Sequence, residues 1–346
     1  SAEIVSLFIQ NHDLQYSLQF CTELIVKYLN AAFARIWILN EKGTHLELAA
    51  SAGMYTHTDG KHAVIPVGQY KIGTIAEEQR PHLTNQVGGD PQIQDRQWAK
   101  CEGIIAFAGH PLIVGDKLVG VMGMFAKNQL QDSAMEALAS ISNEIALGIE
   151  RKKSEKQIHY LAFYDTLTKL PNQHLFRELL KKSIDYSSRY GNKFAVALLD
   201  LDDFNRINNT FGHKIGDKCL QKVSERLQNI LRQSDCLARQ NPEEIPMARM
   251  GGDEFAFLLQ EIDEAENAAQ FAQRILNEFT QPFRVHGHEI FINASMGITL
   301  FPGDGRDSDF IVKNTDTALF HAKKSGKNKF YFYSESMNDG VFELLT

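Results

Sequence analysis

Cysteine is scarce in this sequence, and none of it is closely paired. The four residues, Cys21, Cys101, Cys219 and Cys236, share no short spacing. A disulfide framework and a paired-cysteine metal knuckle are therefore both excluded, and the thiols read as reduced ones in a cytoplasmic protein. No apolar stretch reaches the ~20 residues that span a bilayer, and no signal peptide is evident. Positive charge is also short. Lysine and arginine number 36 against 43 acids, a formal charge of -7, which argues against a general nucleic-acid partner.

What is present is concentrated in acidic clusters. Arg249-Met250-Gly251-Gly252-Asp253-Glu254-Phe255 leads into the apolar run Ala256-Phe257-Leu258-Leu259. Two glycines between strand-like segments predict a tight hairpin turn, since glycine takes positive φ without steric cost. Adjacent acids at the tip repel each other and form strands poorly. A divalent cation carrying a polyphosphate makes such a pair favourable. A solvated hairpin is the simpler alternative.

A second cluster favours the cation. Lys193 to Leu199 reads KFAVALL, which predicts a short strand buried on both faces. It ends in Asp200-Leu201-Asp202-Asp203, and carboxylates at the end of a central strand stand where open sheets bind ligands. If this strand lies beside the hairpin, Asp200 and Asp253 can share one ion. Mg²⁺ keeps several waters, so two carboxylates and one backbone carbonyl, such as that of Leu201, suffice.

From about Asp165 to Phe332 the chain resembles the GGDEF family of diguanylate cyclases, on motifs that occur in order. They are Asp165-Thr166-Leu167-Thr168-Lys169-Leu170-Pro171-Asn172, then Asp200-Leu201-Asp202 with Phe204, Ile207-Asn208, Phe211-Gly212-His213 and Gly216-Asp217. The signature hairpin follows, and then Ala322-Lys323-Lys324-Ser325-Gly326-Lys327-Asn328. The resemblance implies an enzyme that condenses two GTP into cyclic di-GMP and two pyrophosphates. It implies Asp200, the Leu201 carbonyl and Asp253 as ligands of Mg²⁺, with Mn²⁺ as the alternative. Glu254 is then a further metal ligand or the group that helps deprotonate the attacking 3′-hydroxyl. Gly251 and Gly252 form the turn at the substrate. Asn208 and Asp217 are implied as guanine readers, which fits a base whose N1-H and N2-H₂ edge suits a carboxylate. Lys323 and Lys327 are implied as the triphosphate clamp, on one face if the helix reaches that far and otherwise at its end beside Gly326. One domain holds one GTP, so the resemblance also implies a homodimer.

Three departures stand out. Gln173 replaces a common Arg, and Asn205 replaces a phosphate-contacting Lys, with Arg206 next to it. Arg232-Gln233-Ser234-Asp235 fits the family's product-inhibition motif, Arg232 and Asp235 being its functional residues. The stretch to the hairpin is longer than the pattern expects, however. Leu237-Ala238-Arg239 and Met247-Ala248-Arg249 read as two ends of an interrupted strand, with a proline-containing loop between them. Elsewhere in this half, apolar spacing predicts helices over Ile215 to Arg232 and Ala265 to Phe279. A strand is predicted over Ile290 to Leu300, paired through His286-Gly287-His288 to Phe283-Val285.

In the first half, Leu14 to Leu29 is amphipathic and helix-like. Hairpins are predicted for Phe33 to Leu39 with Leu46 to Ala50, and for Ile104 to Val114 with Leu118 to Ala126, with a final helix from about Ser133. Ala34-Arg35-Ile36-Trp37, Val67-Gly68 through Gly73, Glu102-Gly103-Ile104 and Phe107-Ala108-Gly109-His110-Pro111-Leu112 resemble a GAF domain. That resemblance implies small-molecule sensing or dimerisation, and a ligand of unnamed chemistry where it senses. The expected fold class is α+β: a GAF-like sheet with flanking helices over 1–150, a helical linker at about 135–162, a GGDEF α/β domain over 163–335 resembling the nucleotidyl cyclase fold, and a tail over 336–346. The linker reads either as a solvated helix or as a coiled-coil stalk between two copies. Phe330 to Asn338 resembles the join that precedes an EAL phosphodiesterase domain. The functional alternative to an active cyclase is a GTP-binding regulatory or dimerisation module of a larger cyclic di-GMP signalling protein.

Overall fold

Asp13 accepts a hydrogen bond from the Tyr16 N–H at 2.6 Å and so caps helix α1, Leu14–Leu29, whose buried stripe includes Leu18, Cys21, Leu24 and Ile25. The structure is a computed structural model that describes residue 8 and residues 13–93, 95–232, 247–260, 262 and 264–337. The chain divides into two units, Ser1–Gln157 and Ile158–Thr346. Its class is α+β. Among the described residues no helix is long and apolar enough to cross a membrane.

The first unit is built on a six-stranded sheet ordered β3-β2-β1-β6-β5-β4. The strands are β1 Phe33–Leu39, β2 His45–Gly53, β3 Val64–Pro66, β4 His82–Thr84, β5 Ala106–Val114 and β6 Lys117–Ala126, and every pair is antiparallel. Helices α2, Tyr70–Glu78, and α3, Arg96–Glu102, come from the long connections, and α4 runs over Asp132–Phe163. Along β1 the side chains alternate between two cores, as strand geometry requires. Ala34 and Ile36 pack with Leu18 and Ile25 of α1 and Ile145 and Ile149 of α4. Phe33 and Trp37 pack with Ile72 and Ile75 of α2 and Ala99 of α3.

In the second unit a five-stranded sheet is ordered β13-β12-β7-β9-β8, from β7 Phe194–Leu201, β8 Met247–Gly251, β9 Glu254–Leu259, β12 Ala294–Phe301 and β13 Phe330–Phe332. β7 is central, and all of its residues are buried. Ala195, Ala197, Leu199 and Leu201 face one core, with Leu220, Val223 and Leu227 of α7, His213–Arg232, and Ile275 of α8, Ala265–Glu278. Phe194, Val196 and Leu198 face the other, with Phe176 and Leu180 of α5, Gln173–Tyr190, and Ile311 and Leu319 of α9, Ser308–Lys324. Helices on both faces explain why the strand reads as a continuous apolar run.

One predicted strand is corrected. Ile290 to Leu300 is two elements: β11, His288–Ile290, pairs only with β10, Phe283–Val285, whereas β12 starts at Ala294 and pairs with β7 and β13. The apolar alternation continues through the break, with Phe291 67% exposed and Ile292 1%, but the partner strand changes. Residues 233–246, with the Asp235 half of the product-inhibition motif and the proline-containing loop, lie outside the described residues, as does the Arg232 side chain.

Candidate functional site at the β7–β9 strand ends

Two separated acidic motifs meet because β7 and β9 are antiparallel neighbours. Asp200 stands directly opposite Glu254, and the Leu201 N–H donates to the Asp253 carbonyl at 3.3 Å. The β8–β9 hairpin turns through Gly252 and Asp253, with Gly251 paired to Glu254. Gly251 has φ 142° and Gly252 φ 50°, so both occupy the region that glycine enters without a Cβ penalty. After β7 the chain passes through Asp203, also left-handed at φ 57°, and enters the short helix α6, Phe204–Phe211.

A cleft of about 490 Å³ opens at this end of the sheet. Its walls include Asp200, Leu201, Asp253, Lys323 and Lys327, all expected at the site, together with Asn205 and Arg206. Arg206 therefore supplies a cation one residue beyond the position where Asn205 lacks one. Gly251, Gly252, Glu254, Asn208 and Asp217 lie outside that lining. Asn208 is half-buried with its Oδ1 against Gly216, and Asp217, next along α7, is exposed.

The lysines are engaged by acids. Helix α9 ends at Lys324, so Lys327 sits beyond it with φ 59° and does not continue the Lys323 face. Lys323 Nζ lies 2.7 Å from Asp200 Oδ2, and Lys327 Nζ 2.6 Å from Asp203 Oδ1. Asp202 is used structurally: it accepts from Ser295 Oγ at 2.8 Å and from the Asn328 N–H at 3.0 Å, tying the loop after α9 to the strand end.

Charge is crowded here. Burial raises the Asp200 pKa to about 6, outweighing the Lys323 ammonium, while Asp253 and Glu254 push the same way. Glu254 is also raised, first by burial and then by Asp316 and Asp253, with Lys323 opposing. Asp316 was not foreseen. It lies seven residues before Lys323 on α9, a helical spacing that was available as a signal.

The donor set suits a hard cation that brings its own oxygen ligands. Among the described residues no three acidic, histidine or cysteine side chains form a ready cage. Mg²⁺ and Mn²⁺ do not need one, since one or two carboxylates plus phosphate oxygens and water complete the shell. The elevated pKa of buried Asp200 is the electrostatic cost that such a cation relieves.

A family model described as "Diguanylate cyclase, GGDEF domain" matches residues 162–329, and one described as "GAF domain" matches residues 11–150. The chain is 36% identical over 214 residues to the bifunctional diguanylate cyclase/cyclic di-GMP phosphodiesterase MucR of Pseudomonas aeruginosa, covering 62% of this chain and 29% of MucR. It is 34% identical over 196 residues to the cyclic di-GMP phosphodiesterase PdeR of Escherichia coli, covering 57% of this chain and 28% of PdeR. The match thus spans less than a third of each of these proteins. A solved structure of the GGDEF domain of TpbB (YfiN) from Pseudomonas aeruginosa is 27% identical with a TM-score of 0.47, covering 51% of this chain and 98% of that one.

Proposed function

Residues 11–150 belong to the GAF family and residues 162–329 to the GGDEF family, and from that premise we propose that the chain is a GAF-regulated diguanylate cyclase of the cytoplasm. It condenses two GTP into cyclic di-GMP with release of two pyrophosphates. The observation that carries this reading is the pairing of Asp200 with Glu254 across β7 and β9, beside Lys323. The sensor unit is residues 1–150, the catalytic unit residues 163–335, and the helix between them the connection.

In this mechanism Asp200, Asp253 and the Leu201 carbonyl would hold the divalent cation. The ion would supply charge neutralisation at triphosphate oxygens, which eases departure of pyrophosphate. Lys323 exchanges the Asp200 carboxylate for phosphate oxygens, and Lys327 and Arg206 add charge along the cleft. Asp217 accepts from the guanine N1-H and N2-H₂ edge, and the Asn208 amide meets its acceptors. Glu254, with its raised pKa, is suited to take the proton of the 3′-hydroxyl that attacks the α-phosphorus of the facing GTP. That geometry needs a second copy. Leu147, Ile158 and Leu161 of α4 are 55%, 66% and 51% exposed and fall on one heptad seam, which supports a stalk between copies.

A second reading, a GTP-binding regulatory domain without turnover, is favoured by Asn205 at a phosphate-contacting position. One experiment separates the two: GTP turnover with Mg²⁺, products resolved by chromatography, for the native chain and Glu254→Gln. Cyclic di-GMP from the native chain alone is the expected result. GTP binding without product from either chain would install the regulatory reading instead. Cross-linking that finds only monomer at every working concentration would remove the two-copy mechanism.

A further inference from the structure

The first unit has its own half-open cavity of about 340 Å³, large enough for a one- or two-ring molecule. Strand alternation along β1 places Arg35 on the same face as Phe33 and Trp37, a position where a core residue is expected. Arg35 is only 9% exposed. Its cross-strand neighbours are Ser51 and Gly123, which leave space around the guanidinium. Nε donates to Ser51 Oγ at 3.2 Å, and the guanidinium carbon lies 5.4 Å from the Phe33 ring centre and 5.8 Å from that of Tyr55.

Among the described residues no carboxylate pairs with this charge, and the two Nη groups of Arg35 have no hydrogen-bond partner. Other charges on the cavity wall are already engaged. Lys71 pairs with Asp90 at 2.8 Å, while Asp95 caps α3 through the Trp98 N–H at 2.8 Å and directs its remaining charge at His62 rather than at Arg35. His62 is held below its ordinary pKa, first by burial and then by Arg35 and Lys61, so its ring adds no second positive charge near neutrality. The Nη edge is open to the cavity, and a carboxylate there can meet both Nη groups in charge-assisted hydrogen bonds.

Much of the rest of the wall is aromatic, with Ile65, Ile72 and Ile93 between the rings. Phe33 stacks on Phe125 at 4.6 Å between centres, and Trp98 Nε1 donates to the Tyr55 hydroxyl at 2.8 Å. Trp37 Nε1 donates to the His62 carbonyl at 3.0 Å. The indole N–H groups are thus satisfied within the protein, and ring surface is what faces the cavity.

We propose that this cavity binds a planar aromatic monocarboxylate, the carboxylate on the free edge of Arg35 and the ring among Phe33, Trp37, Tyr55, Trp98 and Phe125. The proposal rests on the reading of residues 11–150 as a small-molecule sensor and names the chemistry sensed. One uncompensated cation matches one negative charge. A phosphate dianion would call for a second cation, and Lys71 is committed to Asp90. The planar fork of arginine fits a carboxylate in two-point contact.

The chain carries its own probe, because its two tryptophans, Trp37 and Trp98, both line this cavity. Tryptophan emission of the full chain, excited beyond the absorption of single-ring ligands, is titrated with benzoate, phenylacetate, benzamide, cyclohexanecarboxylate and phenyl phosphate. The expected result is a saturable response in which the aromatic acids bind about tenfold tighter than the amide, as a charge-assisted hydrogen bond provides. Arg35→Gln loses that preference and Arg35→Lys keeps part of it, with circular dichroism verifying that each variant folds. If Arg35→Gln does not fold, the ligand series on the native chain still decides. Benzamide binding as tightly as benzoate overturns the charge requirement while leaving a small-molecule site in place. Cyclohexanecarboxylate or phenyl phosphate binding tighter than benzoate overturns the aromatic or the carboxylate assignment respectively. No saturable response to any probe overturns the cavity as the sensor site altogether.

Discussion

Arg249 grips Asp165 and the carbonyl of Gly252 at the same time. Its Nη1 lies 2.9 and 3.0 Å from the two Asp165 oxygens, while Nη2 and Nε donate to the Gly252 carbonyl at 2.6 and 3.1 Å. The turn that presents Asp253 and Glu254 is thereby fastened to the loop that follows α4. Asp165 also accepts from the Thr168 N–H and hydroxyl at 2.8 and 2.6 Å.

Arg249→Met is expected to cost about 1–3 kcal/mol in urea unfolding, the range for leaving a partly buried carboxylate without its partner. The pair also has a pH signature. Burial alone would raise the Asp165 pKa, but the bonds from Thr168 and Arg249 and the Arg249 charge prevail and lower it. The folded value lies below the unfolded one. The stabilisation is therefore complete above the ordinary carboxylate pKa near ~4 and is lost as pH falls through the lowered value. Asp165→Asn should remove that acid-side loss; an unchanged urea midpoint profile would contradict the assignment.

Asp200 behaves with the opposite sign. Its pKa is raised to about 6, chiefly by burial. Between the ordinary carboxylate value and that point the folded state holds a proton that the unfolded state lacks, so stability falls as pH rises across the window. A cation must displace that proton. The thermal shift produced by Mg²⁺ with a non-hydrolysable GTP analogue should be largest above pH ~6 and shrink below it. Asp200→Asn should flatten the dependence. A thermal shift that does not vary with pH in the native chain would mean that this carboxylate does not receive the ion.

Two glycines predict contrasting losses. A Cβ at Gly216 would collide with Asn208 Oδ1, the mobile end of a half-buried side chain. Gly216→Ala should change stability by less than about 1 kcal/mol yet weaken GTP relative to ATP roughly tenfold in competitive binding. A Cβ at Gly297 would meet the Thr315 carbonyl and the backbone of Leu319. The strand and helix cannot yield there, so Gly297→Ala should cost about 2–4 kcal/mol in unfolding without a selective effect on guanine.

The elements legible in the sequence are those whose signal is local. α1 begins after Asp13 and ends at Leu29 because the cap and the apolar stripe coincide. β7 was readable from its unbroken apolar run, and the Gly251-Gly252 turn from its need for positive φ. What escaped depends on distant partners. The Ile290 to Leu300 pattern does not announce that its two halves join different sheets. Asp202 looks like a third site acid until Ser295 and Asn328 claim it. The pairing of Lys323 with Asp200 and of Lys327 with Asp203 spans more than a hundred residues, beyond the reach of any local pattern.

Those two lysine–aspartate pairs engage both lysines of the cleft before any ligand arrives. An incoming metal ion alone must evict an ammonium from Asp200, and a bare triphosphate must take lysines from their carboxylates. Arriving together, each releases what the other requires. Binding is then an ion exchange in which metal and nucleotide strengthen each other reciprocally, as linkage demands. In the proposed cyclase, such a resting site would favour the complete metal–nucleotide pair over either partner alone.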